Sequence, residues 1–384
     1  MFKRILTPHL RKDPRNVLLI GPRQVGKSTL LGSLNPDLTL NLASPTTYRD
    51  YLAHPEQFEA ELAAADPSVR VVFLDEVQRV PALLDAVQVQ VDKDPRRFRF
   101  LLSGSSARKL RRGQANLLPG RIHLHHLHPL LACELGDAFD LNRVLAHGTL
   151  PGIYSESDPE ARAADLRAYT DVYLREEVQA EALVRNLGGY TRLLDLVAAS
   201  SGKALNLAAL SQDAGIAHET VRRYLEVLED TLLVFRVPAW SGSKRAGLVT
   251  HPKHFLFDLG VRNALLRRPL DRPLPDEIGL LFEHLVAYEL VRRQGSLWPE
   301  VQVYYYRTKH GAEIDFVLEV GRELWAIEVN ASRRAPGSVA AFDSLAKRTT
   351  RLSRKIVVFL GPRPQRMGDV EVLPLQNFLE LLPA

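Results

Sequence analysis

The chain has little sulfur: one cysteine, Cys133, and two methionines among 384 residues. A single thiol closes no internal disulfide and builds no multi-cysteine zinc site. The reducing cytosol is therefore the expected setting, a cytoplasmic localisation. Long apolar runs are also missing. None approaches the roughly 18 residues that a membrane helix needs. The first eight residues carry the basic pair Lys3 and Arg4 but no long apolar stretch and no small-residue cleavage site. No signal peptide is expected from them. Internal repeats and low-complexity segments are absent, which excludes fibrous and solenoid architectures. What remains is ordinary globular composition, 46% hydrophobic and 25% charged. At roughly 150 residues per domain the length implies two or three domains.

Charge is unevenly spread. Residues 1–130 hold 19 Lys/Arg against 12 Asp/Glu, residues 131–230 hold 9 against 17, and residues 231–384 hold 22 against 16. Alternating signs suggest segments with different tasks or with mutual contacts. Between Lys93 and Arg121 nine basic side chains face Asp94 alone. Such a stretch serves as a solvated face, a contact for a phosphate backbone, or a match for an acidic subunit surface.

The first 130 residues alternate strands and helices. Apolar runs at 16–20, 38–42, 71–74 and 98–102 read as strands, and 122–127 alternates like a half-buried one. Helices are expected at 27–34 and, as one element, at 46–65. This is an α/β pattern with a largely parallel sheet. From 131 to 230 the pattern is helical. A long amphipathic helix is expected over 158–185, and two helices joined at Gly215 over 205–230. Strands at 232–237 and 254–258 flank a Gly/Ser/Lys loop. The Pro-rich residues 269–275 are the best linker candidate. A helix to about 293, strands at 301–306, 314–319 and 323–329, a helix near 338–348 and a strand at 355–360 complete the chain.

Gly21-Pro22-Arg23-Gln24-Val25-Gly26-Lys27-Ser28 fits G-x-x-x-x-G-K-[ST] between a strand and a helix, followed by Thr29. Glycines let the backbone curl round a phosphate with its N–H groups inward. Lys27 would reach the β- and γ-phosphates, and Ser28 offers a hydroxyl to Mg²⁺. The apolar strand 71–74 delivers Asp75 to its tip, where it would join the magnesium shell, and Glu76, which would polarise an attacking water. Ser103, at the tip of the next strand, is a candidate γ-phosphate sensor or a plain helix cap. Arg121 and Arg108 are candidate charge-stabilising fingers. The expected cofactors are ATP and Mg²⁺.

These runs, with Leu118-Pro-Gly-Arg121, Gly148-Thr-Leu-Pro151, Glu181–Asn186, Thr220–Leu225, Leu228–Leu232 and Gly311-Ala-Glu-Ile-Asp315, resemble a family of bacterial and archaeal AAA-type ATPases with a C-terminal domain of unknown function. The likeness covers nearly the whole chain. It implies an AAA-like P-loop sheet, Mg-ATP, and a homo-oligomer with nucleotide at subunit interfaces, in which Arg121 acts in trans.

Residues 207–225 look like a helix-turn-helix, and the following strands would make a wing. If it binds DNA, Arg222 or Arg223 faces the groove or phosphates, with Lys244, Arg245 and Lys253 near the wing. The alternative is a winged helix used only for packing. In the last domain Glu283, Asp315 and Glu328 resemble the acids of a restriction-endonuclease-like core. Alternate strand residues share a face, so residue 330 should carry the catalytic lysine. It is Asn330, so the domain is expected to be nuclease-shaped and inactive, although the three acids retain the chemistry to bind Mg²⁺. In the run 122–128, His123 and His125 share one strand face and His126 and His128 the other. The four do not converge, and no zinc site is expected.

The organisation read from the sequence is thus a P-loop ATPase domain at 1–130, a helical lid-like segment at 131–200, a winged helix at 201–268 and a restriction-endonuclease-like domain at 269–384. The leading expectation is an Mg-dependent ATPase that remodels duplex or branched DNA. The competing one is an ATP-gated switch that binds protein.

Overall fold

The computed structural model describes residues 2–105, 120–174, 186–242, 247–294, 297–336 and 340–383. A short helix, α1 (Thr7–Lys12), leads into five strands: β1 (Asn16–Ile20), β2 (Leu38–Asn41), β3 (Val71–Asp75), β4 (Arg99–Gly104) and β5 (Ile122–His126). They lie in the order β2-β3-β4-β1-β5, every pair parallel. Helices α2 (Lys27–Gly32), α3 (Pro45–Ala53), α4 (Gln57–Ala64) and α5 (Ala82–Lys93) make the crossovers that parallel strands require. All five residues of β1 are buried, as expected where both faces of a sheet are covered. Val17 and Leu19 feed one apolar core, Leu18 and Ile20 another. Because the strands are parallel, the loop after β1 and the tips of β3 and β4 emerge on one edge, where open α/β sheets bind ligands.

The single helix expected over 46–65 is two. Pro55 disfavours helical backbone at His54, and α3 ends there. Of the long helix expected over 158–185, residues 159–168 are α-helical. Four short helices follow β5: α6 (Ala132–Leu135), α7 (Leu141–His147), α8 (Pro151–Ser155) and α9 (Pro159–Ala168). Residues 169–174 then widen into a π-type turn, where the Thr170 hydroxyl donates to the Arg167 carbonyl at 2.9 Å and competes with the helical ladder. Residues 175–185, including most of the Glu181–Asn186 motif, lie outside the described residues.

The chain continues with α10 (Leu187–Ala199), β6 (Lys203–Ala204), α11 (Leu207–Ala214), α12 (His218–Asp230), β7 (Val234–Val237), β8 (Lys253–Leu256) and α13 (Leu259–Leu265). Asn206 caps α11 by accepting from the N–H groups of Ala208 and Ala209, and Gly215 ends it at φ +66°. Val221, Tyr224, Leu225 and Leu228 form the buried stripe of α12. Strands β6, β8 and β7 form a small antiparallel sheet.

Residues 269–275 are not a free linker. Leu270 is buried, and Arg262 and Arg268 both reach Glu277 across the stretch, at 3.0 and 2.7 Å. Beyond it come α14 (Ile278–Arg293), β9 (Val301–Arg307), β10 (Glu313–Val320), β11 (Glu323–Asn330), α15 (Ala340–Ala346), β12 (Leu352–Phe359), β13 (Gln365–Met367), β14 (Val370–Pro374) and α16 (Leu375–Glu380). The sheet order is β13-β14-β12-β11-β10-β9. Strands β9, β10 and β11 are antiparallel neighbours, whereas β11, β12 and β14 run parallel.

Candidate functional site

The loop after β1 is shaped by its glycines. A Cβ on Gly21 would stand 2.2 Å from the Leu127 carbonyl oxygen, and Gly26 sits at φ +92°. Lys27 is buried, and its ammonium donates to the carbonyls of Gly21 and Pro22, both at 2.9 Å. Arg23, Gln24, Gly26, Lys27, Ser28 and Thr29 line a cavity of about 920 Å³. Gly21, Pro22 and Val25 do not line it. The volume lies in the range of small-molecule and cofactor pockets.

Opposite the loop, β3 delivers Asp75 and Glu76 to the same cavity. The Ser28 hydroxyl donates to Asp75 Oδ1 at 2.8 Å. Ser103, fully buried on β4, also donates to Asp75 Oδ1, and its oxygen accepts the Glu76 N–H at 2.9 Å. Ser103 is therefore not placed as a phosphate sensor: it stands behind the acid pair and positions it. Glu76 itself adopts φ +59°, a strained backbone for a residue with a side chain. The Gln78 amide donates to the Glu76 carboxylate at 2.5 Å and to Ser105 Oγ at 3.2 Å.

Some site residues escaped the sequence. Arg4 is buried and ties the loop to its surroundings, donating to the Val25 carbonyl at 2.8 Å, the His128 carbonyl at 2.6 Å and Glu134 at 3.0 Å. Asn41, Arg79, Pro151 and Gly152 complete the cavity wall. Arg79 lies over Tyr48 and donates to the carbonyls of Leu42 and Ala43. No motif announces an arginine braced on backbone; only the fold shows it.

Residues 13–136 match the model of an AAA domain, 138–272 match one domain of unknown function, and 278–378 match another. Residues 13–136 are thus similar to an AAA domain. An AAA domain implies nucleotide binding, and the cavity lined by Lys27 and Glu76 lies within the matched residues. Among its relatives are uncharacterized proteins of Mycobacterium tuberculosis and Mycobacterium bovis, each 27% identical over 93% of this chain and 79% of the relative. An uncharacterized protein of Haemophilus influenzae is 23% identical over 83% and 80%. Two solved structures match at lower similarity. PCH-2 of C. elegans is 14% identical over 59% of this chain and 65% of that one, with a TM-score of 0.27. Replication initiator DnaA bound to AMPPCP and single-stranded DNA is 12% identical over 58% and 85%, with a TM-score of 0.26. Scores that low carry no argument beyond what the strand order already gives.

The remaining candidate residues fall elsewhere. Arg121 precedes β5, at the far end of the sheet from the nucleotide loop, and pairs with Asp92 at 2.5 Å. It does not join the cavity of its own chain. Arg108 lies outside the described residues. Two more of the basic stretch are spent on backbone: Arg97 donates to the Val69, Ala65 and Asp66 carbonyls, and Arg99 to Arg15 and Leu10.

On α12, Arg222 and Arg223 are exposed. Arg222 stands 3.6 Å from Glu219, and Arg223 lies over Tyr224. Lys244 and Arg245 lie outside the described residues. Lys253 is not near solvent at a wing. It is buried, with its ammonium 2.9 Å from Glu283 and 2.8 Å from Glu313. Asp315 and Glu328 complete this cluster, hydrogen-bonded to each other, and Asp315 also accepts the Val329 N–H. The structure thus brings Glu283, Asp315 and Glu328 together as the sequence suggested, and adds a lysine from β8 that no strand spacing predicts. Burial opposes the charge on Lys253, but Glu283, Asp315 and Glu313 outweigh it and hold the ammonium protonated. Burial and then Asp315 push Glu283 up to about 7 and Glu328 to about 9.

Proposed function

We propose that the protein is an Mg-dependent ATPase that couples hydrolysis to movements of its middle and C-terminal domains on duplex or branched DNA. The observation that carries the hydrolytic part is the contact between Ser28 and Asp75 beside Glu76, at the wall of one cavity. A hydroxyl and a carboxylate are the hard oxygen donors that Mg²⁺ selects, so this pair would hold it. When bound, the ion neutralises phosphate charge. Lys27 exchanges its two carbonyl partners for phosphate oxygens, and Glu76 orients the attacking water. Gln78 holds the Glu76 carboxylate until the site fills. Among the described residues the arginines on the cavity wall are Arg23 and Arg79. A finger from a neighbouring copy, with Arg121 as candidate, fits a homo-oligomer with nucleotide at its interfaces.

The DNA part rests on the middle domain. Its order of helix, strand, two helices and two strands is that of a winged helix, and α12 exposes Arg222 and Arg223 as a second helix would in a groove. The ATP-gated protein switch has its own support: Glu219, Glu226 and Glu229 flank those arginines, which weakens a phosphate contact. The C-terminal domain is read as restriction-endonuclease-like and inactive, since Asn330 replaces the strand lysine and the Lys253 ammonium is already paired with Glu283 and Glu313.

ATPase rates with and without duplex and four-way-junction DNA test both parts. Wild type should turn over, Lys27→Ala should lose nucleotide binding, and Glu76→Gln should bind ATP without hydrolysing it. Junction DNA should raise the rate, and the effect should fade steeply with salt. A Glu76→Gln protein with normal turnover would sink the hydrolytic assignment. A rate indifferent to DNA, with no binding at low salt, would leave the protein-switch reading in its place.

A further inference from the structure

At the other side of β5 from the C-terminal domain's reach, Asp13, His123 and His125 draw together. Asp13 lies in the turn between α1 and β1, and the two histidines share one face of the edge strand β5. One ligand atom from each lies within 4.8 Å of the others. His123 Nδ1 is 2.6 Å from Asp13 Oδ2, and His125 Nε2 is 3.7 Å from the same oxygen. At that distance the His125 nitrogen makes no hydrogen bond to Asp13, and it is buried with no hydrogen-bond partner among the described residues. The other Asp13 oxygen accepts the Arg15 N–H at 2.9 Å, which fixes the carboxylate toward the two rings.

We propose that Asp13, His123 and His125 form a binding site for a Zn²⁺-class transition-metal ion, with solvent completing the coordination on the exposed His123 side. Two imidazoles and a carboxylate are a borderline donor set, which disfavours Mg²⁺ and Ca²⁺ and suits Zn²⁺. Ligands about 2.0–2.2 Å from a tetrahedral ion stand about 3.3 Å apart, so 2.6 and 3.7 Å need only small ring rotations to open round a metal. The Arg15 N–H supplies the outer hydrogen bond that orients a metal-bound carboxylate. The ion would tie the entrance of β1 to β5. Those two strands carry the nucleotide loop between them: Leu127, just past β5, donates its N–H to Ile20 and presses its carbonyl against Gly21. The site would therefore clip together the two strands whose opposite ends carry the nucleotide loop. It stands independently of whether the protein hydrolyses ATP.

The test uses the full chain, prepared without a histidine tag and stripped of metal by chelation. ZnCl₂ is titrated by calorimetry, and Co²⁺ by visible absorption. One equivalent should bind, Co²⁺ should give a ligand-field band of a low-coordinate site, and Zn²⁺ should raise the unfolding midpoint. His125→Gln and Asp13→Asn should each weaken Zn²⁺ binding by more than about tenfold. His126→Gln, on the opposite strand face, should not change it. If Asp13→Asn fails to fold, because Asp13 also holds the Arg15 N–H, the wild-type Co²⁺ spectrum and His125→Gln still decide. No Co²⁺ band in wild type, or equal affinity in His125→Gln and His126→Gln, would overturn the assignment.

Discussion

At the scale of single residues, the nucleotide site shows how far a motif reaches. Lys27, Ser28, Asp75 and Glu76 were singled out in the sequence by type and spacing, and the fold brings all four to one cavity. Ser103 was legible only as a position. Its role depends on which neighbour its hydroxyl finds, and it finds Asp75 and the Glu76 backbone. Removing that hydroxyl leaves the Glu76 N–H without its acceptor and one oxygen of Asp75 less well held. Ser103→Ala should cost about 1–3 kcal/mol of stability, the penalty for an unsatisfied buried group. Turnover should fall more than nucleotide affinity, because the acids rather than the phosphate-binding loop are disturbed. Thermal unfolding and nucleotide titration side by side check this. Unchanged turnover with weakened binding would return Ser103 to the phosphate.

At the scale of elements, sequence periodicity placed the strands of the first sheet and the helix pair α11–α12 within a few residues. It failed where a contact from far along the chain decides the shape. The turn after α7 is such a place. Gly148 sits at φ +70°, and a Cβ there would stand 2.0 Å from the Asp258 carboxylate. Asp258 is wholly buried. It accepts the Thr149 N–H at 2.7 Å and caps α13 through the Val261 N–H at 3.0 Å. Gly260 packs as closely on the His147 carbonyl. This junction fixes where α8 begins, and α8 brings Pro151 and Gly152 to the nucleotide cavity. Gly148→Ala should therefore destabilise the protein by about 3 kcal/mol, combining a strained backbone with a steric clash. It should also weaken nucleotide binding, although residue 148 does not line the cavity. A variant that melts like wild type would show that the junction yields easily.

At the scale of the whole molecule, the carboxylate cluster is assembled from α14, β8, β10 and β11, which is why the sequence named Glu283, Asp315 and Glu328 for it but neither Glu313 nor its cation. Reading residue 330 alone made the site look empty of positive charge. Lys253, 30 residues before Glu283, supplies it through the tertiary fold. One ammonium does not balance Glu283, Glu313, Asp315 and Glu328, so the folded protein keeps protons there that the unfolded chain releases. Glu283 is raised from 4.5 to about 7 and Glu328 from 4.5 to about 9, by burial first and Asp315 next. Between pH 4.5 and 9 the folded state thus binds more protons, and stability must fall as pH rises through that window. His284 acts with the opposite sign. Burial holds it neutral, down to about 3, so its contribution is complete above pH 6.5 and is lost as pH falls. The two trends overlap between pH 4.5 and 6.5, and only a difference separates them. Glu328→Gln removes the titrating carboxyl and leaves His284 untouched. Measured from pH 5 to 9, the unfolding midpoint of wild type should decline relative to Glu328→Gln, with the gap widening steadily toward alkaline pH. Parallel curves would mean that Glu328 is ionised throughout, and that the cluster already holds a cation beyond Lys253.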